Sequence, residues 1–165
     1  MKDRIKFNDV MLQAVIDGRK TQTRRPIKPQ PKVTEGGLRY LSAWQDGYTL
    51  SEQVCAAWRH GFVDVDFPYG EIGDIINIAN KNGNIKGEIE ITDVWIQQIH
   101  GISHDDALAE GFELTGWEST YSDLDGGGEI CSPFDNFVEA WVDIYGEDSW
   151  NSNPWVWVIE FKKVK

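Results

Sequence analysis

Residues 18–32 constrain the fold of this chain more than any other stretch. They begin with Gly-Arg-Lys-Thr-Gln-Thr-Arg-Arg and contain no acidic residue. Gly18 favours the end of a helix, and the three prolines between 26 and 31 exclude a helix after it. The segment must therefore run as a turn or as extended chain, and a turn fixed by Gly18 projects its cationic side chains in a defined direction.

These cations stand out because the rest of the chain is acidic. The net charge is -11; residues 1–32 carry nine Lys or Arg and three Asp, whereas residues 33–165 carry seven basic and 24 acidic residues. A body of that charge repels a long phosphate chain, so we expect weak binding to duplex DNA. A pocket-sized ligand such as a nucleoside or a single unpaired base meets no such obstacle.

The composition is typical of one globular domain spanning residues 1–165. Cys55 and Cys131 are isolated thiols, and the three histidines lack partners at ligand spacing, so we expect no metal site and no cofactor. The sequence contains no apolar run of membrane-spanning length and no apolar segment after Met1, so no membrane partner is expected and the predicted location is cytoplasmic.

Four segments have the residue pattern of β-strands: 4–7, 74–79, 85–99 and 154–163. In the third, alternation predicts that Ile89, Ile91 and Trp95 share one face. We expect all four strands to belong to one curled sheet.

Helices are predicted from Asn8 to Gly18, near 51–60, from Ser103 to Gly111, and from Ser132 to Gly146. The last has an apolar stripe that includes Phe134 and Trp141, which should pack on the sheet. The prediction is an α+β domain, a small curled sheet or barrel with two to three short helices and loop insertions at about 27–70 and 112–131.

The cationic segment has two interpretations. It could be a solvated basic turn. If it is extended instead, Lys20 and Arg24 share one side, and Arg19, Thr23 and Arg25 the other. Neighbouring arginines would lower the pKa of Lys20 and make it a candidate base, with Thr23 as a candidate nucleophile. The arginines, above all the adjacent pair, are candidates to bind a phosphate or carbonyl oxygen.

The pattern Gly18-x-Lys20-Thr-x-Thr23-x-Arg25 resembles the signature of the ASCH domain, a β-barrel family related to the PUA domains of RNA-modifying proteins. Three further stretches follow in the family's order: Gly73-Asp74 with its strand, Ala107 to Gly111, and Asp143 to Gly146 with the strand at 155–161. The longer phage and prophage members look most similar, because they often read Gly-Arg-Lys-Thr-Gln-Thr-Arg-Arg before Pro-rich sequence.

The resemblance implies an activity and a set of roles. One ASCH branch consists of amidohydrolases that remove the acyl group from N4-acetylcytidine, and its motif falls on Lys20 as base, Thr23 as nucleophile and Glu110 as the acid for the leaving amine. We therefore predict that Lys20, Thr23 and Glu110 meet in one pocket with Arg25 at its rim, although Glu110 alone would suit a solvated helix. Many phage relatives continue the Gly-Asp strand as Trp-Val-Arg-Glu-Thr, whereas this chain reads Asn-Ile-Ala-Asn-Lys at 77–81.

Two other functions fit the sequence. One is a non-catalytic module that binds a nucleoside or single-stranded RNA. The other is a phage accessory protein whose acidic surface binds a host protein.

Overall fold

The computed structural model describes residues 4–40, 44–112 and 132–164. The predicted insertion at 112–131 lies, apart from Phe112, outside these residues. In chain order the described elements are β1 Arg4–Lys6, α1 Asp9–Ile16, β2 Gln22–Pro26, α2 Glu35–Tyr40, α3 Leu50–Arg59, β3 Ile75–Ala79, β4 Ile85–Gln98, a 3₁₀ turn Ile99–Gly101, α4 His104–Ala109, α5 Pro133–Tyr145, α6 Glu147–Asn151 and β5 Trp155–Lys163.

The five strands form one mixed sheet in the order β1-β3-β4-β5-β2. β1 runs parallel to β3, and every other neighbouring pair is antiparallel. All four predicted strands lie in this sheet, and the cationic segment adds the fifth, so the prediction of an α+β fold is confirmed. β5 lies between β4 and β2, and its residues 155–159 are all buried.

The sheet curls until its two outer strands face each other. The Arg25 guanidinium on β2 donates from Nη2 to the Lys6 carbonyl oxygen on β1 at 2.8 Å. The Arg25 side chain therefore spans the gap between the two edge strands, which in a closed barrel would be joined by backbone hydrogen bonds.

The described residues contain six α-helices, more than the two or three predicted. α3 matches the helix predicted near 51–60, whereas α2 was not predicted; both lie in the stretch at 27–70 that the sequence analysis treats as an insertion. That stretch also supplies Leu38, Val54 and Ala57 to the main hydrophobic core. The sequence signal is weak because only one stripe of each helix contacts the core, while their outer faces are polar. The second helix that was not predicted is the five-residue α6, whose apolar residue Trp150 packs beside α5.

The prediction that Trp95 shares a face with Ile89 and Ile91 is wrong. The register between β4 and β5 shifts between Ile91 and Asp93, which marks a β-bulge at this point. A bulge inserts one extra residue, so the alternation reverses its phase beyond it. Val94 and Ile96 consequently join the main core, and Trp95 packs against the second core on the other face.

α5 covers that other face as predicted. Ser132 and Asp135 form a capping box, and Pro133 lies at the first helical position. Phe137 and Trp141 are buried in the second core against Val156 and Val158 of β5. Burying each of these aromatic side chains contributes about 2 kcal/mol or more, so α5 is firmly anchored on the sheet.

No helix among the described residues has the length and apolar character needed to cross a membrane.

Candidate functional site

Backbone hydrogen bonds attach the start of the cationic segment to two helices. After α1 ends, Lys20 N donates to Ala14 O at 3.0 Å, and Thr21 N donates to Ala109 O at 2.7 Å. Ala109 is the last residue of α4, so the residue after it, Glu110, is brought beside Lys20. Residues 90 positions apart in the sequence meet for this reason.

Gly111 permits this close approach. Its φ is +100°, a conformation that residues with a side chain rarely adopt, and a Cβ atom there would lie 3.2 Å from Lys20 Cβ and 3.3 Å from Ala14 Cβ. A larger residue at 111 would therefore push α4 away from Lys20.

Glu110 is the centre of a buried charge cluster. Its Oε1 accepts a hydrogen bond from Lys20 Nζ at 2.8 Å, and its Oε2 accepts one from Arg24 Nη1 at 3.0 Å. Lys20 Nζ also donates to the Glu110 carbonyl oxygen at 2.8 Å. Relative exposure is 3–4% for all three residues. Two cations thus share one carboxylate inside the protein, and removal of that carboxylate would leave both unbalanced.

The Lys20 pKa lies below its ordinary value. Burial is the largest cause because it disfavours the ammonium; the Glu110 carboxylate opposes this effect, and the positive charges of Arg25 and Arg24 add to it. The sequence analysis predicts this direction but attributes it to the arginines, which are the smaller contribution.

Arg24 is occupied by protein partners. Besides Glu110, its guanidinium donates to Gln22 Oε1 at 2.9 Å and to Gln97 Oε1 at 3.2 Å. Its Nη2 lies 3.3 Å from an Asp106 carboxylate oxygen, but the geometry leaves that buried nitrogen without a hydrogen bond. Arg24 therefore joins β2, β4 and α4, and its side chain is fixed by these contacts.

Thr23 and Arg25 extend from the opposite face of β2. Thr23 Oγ1 accepts a hydrogen bond from Arg25 Nε at 3.2 Å, and the Arg25 guanidinium lies 5.3 Å from the centre of the Phe7 ring. A cationic donor on a hydroxyl oxygen stabilises negative charge on that oxygen. This contact makes loss of the Thr23 hydroxyl proton less costly, and it also occupies one lone pair of the oxygen.

These side chains border one cavity of about 470 Å³. Lys20, Thr23, Arg24, Arg25 and Glu110 contribute its polar wall, as the sequence analysis predicts for four of them. Its apolar wall is largely aromatic and comes from β1, from the end of α4 and from α5: Phe7, Phe112, Phe137, Trp141 and Tyr145. A volume of this size with flat apolar walls suits a planar ring with a few polar groups.

Arg19 lies apart from this cavity. Its side chain is 43% exposed and forms an ion pair with Asp17 at 3.1 Å, and it does not line the cavity wall. After the turn at Gly18, the Arg19 side chain points to solvent and the Lys20 side chain points into the protein.

The sequence analysis did not identify Lys6 or Phe7 as site residues, although both line the cavity. Both lie at the end of the first predicted strand, and only the curl of the sheet brings that edge to the cationic segment. No group of three or more metal-ligating side chains occurs in the described ranges.

The comparisons with known proteins give structural likeness without a sequence match. No family model matches the chain, and neither does any curated protein. Among solved structures, the chain is similar to an Enterococcus faecalis protein described as DUF984, with 17% identity over 99% of this chain and 80% of that one, at a TM-score of 0.46. It is also similar to an ASCH domain from Lactobacillus crispatus, with 16% identity over 94% and 70%, at a TM-score of 0.42.

Proposed function

We propose that this chain is an ASCH-type protein that binds a nucleoside or an unpaired base in the cavity of Lys20, Thr23 and Glu110, and hydrolyses the N4-acyl group of an acylated cytidine. The observation that carries the proposal is the meeting of these three side chains on one cavity. Unrelated surface residues at such separations in sequence would rarely meet there. The motif resemblance supplies the reaction type.

The reaction begins at Thr23. In the fraction of molecules in which Lys20 has lost its proton, a fraction that the lowered pKa increases, the Thr23 hydroxyl proton passes to Lys20 Nζ while Oγ1 bonds to the acyl carbonyl carbon. As the bond from that carbon to N4 breaks, Lys20 returns the proton to the leaving amine. Water then hydrolyses the acyl ester on Thr23, with Lys20 again taking and returning a proton, and the products are cytidine and a carboxylic acid.

The contacts of Glu110 support a positioning role. The resemblance gives Glu110 the task of protonating the leaving amine, but both of its carboxylate oxygens accept hydrogen bonds from cationic groups. Such a carboxylate has no proton to donate. Glu110 instead fixes the position and orientation of the Lys20 side chain in the cavity. Lys20 takes the proton from Thr23 and gives it to the leaving amine.

The proposal requires a movement of Lys20. Its Nζ hydrogen-bonds Glu110, whereas the partner of Thr23 Oγ1 is Arg25 Nε, and no hydrogen bond joins Thr23 to Lys20 within the described residues. Catalysis therefore needs either a rotation of the Lys20 side chain toward Thr23 or one bridging water.

The test is hydrolysis of N4-acetylcytidine by the protein and by Thr23→Val, which removes the hydroxyl and keeps the shape. We expect a loss of about 10²-fold or more in kcat/KM. Thr21→Val is the matched control, because Thr21 is exposed and lies outside the cavity. Equal rates of hydrolysis by Thr23→Val and by the unchanged protein would show that Thr23 is not the nucleophile.

The engagement of Lys20 by Glu110 also favours a second candidate function, recognition without turnover. In that case the cavity binds the base of a nucleoside or single-stranded RNA and no acyl group is lost. Binding of cytidine that survives in Thr23→Val, with no hydrolysis by either protein, would support this alternative.

A further inference from the structure

A second cavity adjoins the first and has no role in the function proposed above. It measures about 420 Å³. Its wall comes from β2 and the chain after it, from the segment before β3, from the end of α5 and from β5, and the residues that the argument uses are Arg25, Lys28, Asp66, Tyr69 and Tyr145. Arg25 and Tyr145 line both cavities. The two cavities are therefore neighbours across one arginine and one tyrosine.

The cations at this boundary have no acidic partner. Lys6, Arg25 and Lys28 form no ion pair with any carboxylate among the residues that the structure describes. This is unexpected in a chain with 27 acidic residues and 16 basic ones. Asp66 is the one carboxylate on the wall of the second cavity, and it forms no ion pair with Arg25 or Lys28.

Arg25 has donors available for a ligand. Its Nε and Nη2 each donate one hydrogen bond to the protein, to Thr23 and Lys6, and its Nη1 donates none. Beside it, burial raises the pKa of the Tyr145 hydroxyl, so this group remains a protonated donor. A guanidinium, an ammonium and a phenol that face one space make a site for a phosphate group.

We infer that the second cavity binds a phosphate ester attached to the nucleoside in the first cavity, so that the ligand is a nucleotide rather than a free nucleoside. This inference rests on the proposed function for the identity of the group in the first cavity. Arg25 contacts both the nucleoside and the phosphate, and Lys28 contacts the phosphate. The Tyr69 ring packs against the group attached to the far side of the phosphate, where there is one.

The experiment measures dissociation constants by calorimetry at low salt for four ligands: cytidine, cytidine 5′-monophosphate, cytidine 3′-monophosphate and the dinucleotide of cytidine. We expect at least one monophosphate to bind about tenfold or more tightly than cytidine, the size of one hydrogen bond to a charged group. If the dinucleotide binds more tightly still, the ligand is the end of an RNA chain; if it does not, the ligand is a free nucleotide.

Lys28→Ala should remove most of that preference and leave the affinity for cytidine unchanged. Lys86→Ala is the matched control, because Lys86 is exposed and lines neither cavity. Equal affinity for cytidine and all phosphorylated ligands overturns the inference and leaves the proposed function intact. If Lys28→Ala does not reduce the preference for phosphorylated ligands, the phosphate does not bind in the second cavity. If the protein binds phosphorylated ligands but not cytidine, the proposed nucleoside site in the first cavity is wrong and the phosphate site stands.

Discussion

Two pairs of cations border the two neighbouring cavities and differ in their partners. The buried pair, Lys20 and Arg24, shares the Glu110 carboxylate and is almost completely excluded from solvent. The open pair, Arg25 and Lys28, has no carboxylate partner in the described part of the chain. Charges that satisfy each other hold the protein together, whereas charges left unsatisfied beside a cavity are available to a ligand. The buried pair should therefore govern stability and the open pair should govern binding.

The largest effect should follow from removal of the carboxylate in the buried pair. Glu110→Ala leaves Lys20 and Arg24 buried without their shared partner, and we expect the free energy of unfolding to fall by about 3–5 kcal/mol. Urea denaturation measures this change. Glu139→Ala is the control, because Glu139 is exposed on α5. A loss below about 1 kcal/mol would mean that solvent reaches the cluster.

The buried pair should also make stability depend on pH. The Lys20 pKa is lowered in the folded protein from its ordinary value of 10.5, so the unfolded chain binds the proton more readily. Stability should therefore rise with pH in the range below 10.5, with a slope of at most about 1.4 kcal/mol per pH unit from this one group. Lys20→Met lacks the titrating group, so the difference in unfolding free energy between the two proteins should change in this direction. A difference that is constant up to pH 10 contradicts the lowered pKa.

A smaller effect is expected at the open pair. Arg25→Met removes the contact of the guanidinium with the Phe7 ring and the hydrogen bonds to the Thr23 hydroxyl and to the Lys6 carbonyl, the latter exposed to water. We expect a loss of about 1 kcal/mol in unfolding free energy. Ligand affinity should fall much more than stability. If thermal denaturation instead shows Arg25→Met to be as unstable as Glu110→Ala, Arg25 belongs with the buried pair.

The smallest effect on folding is expected for Lys28→Ala. Lys28 is exposed and forms no ion pair within the described ranges, so the change in unfolding free energy should stay within about 0.5 kcal/mol. Its thermal unfolding curve should overlay that of Lys86→Ala. A clear destabilisation would show that Lys28 has a structural contact and would weaken the contrast between the two pairs.

Much of the fold was predictable because its signals are local. The capping boxes at Ser103 and Ser132 and the apolar stripe of α5 each act within one or two helical turns. The bulge in β4 was not predictable, since it depends on the pairing of that strand with β5. α2 was missed for a related reason, because the core that selects its buried face is assembled from distant strands.

The motif resemblance singles out Lys20, Thr23 and Glu110, and the structure brings all three to one cavity. Alternation along an extended chain separates Arg24 from Arg25, but it does not reveal which of the two meets a carboxylate. The pleat of β2 sends Arg24 toward Glu110 and Arg25 toward the edge of the sheet, and only the tertiary structure reveals which one is satisfied.

The order of strands in the sheet also determines when the cavity can exist during synthesis. β2, which carries Thr23 and both arginines, pairs with β5, and β5 is synthesised after the other four described strands. Until residues 155–163 emerge, β4 and β2 each lack the neighbour that lies between them, and both present unpaired edges to other nascent chains. The first cavity therefore cannot form before residues 155–163 have been synthesised, and a chain that stalls before residue 155 is exposed to aggregation.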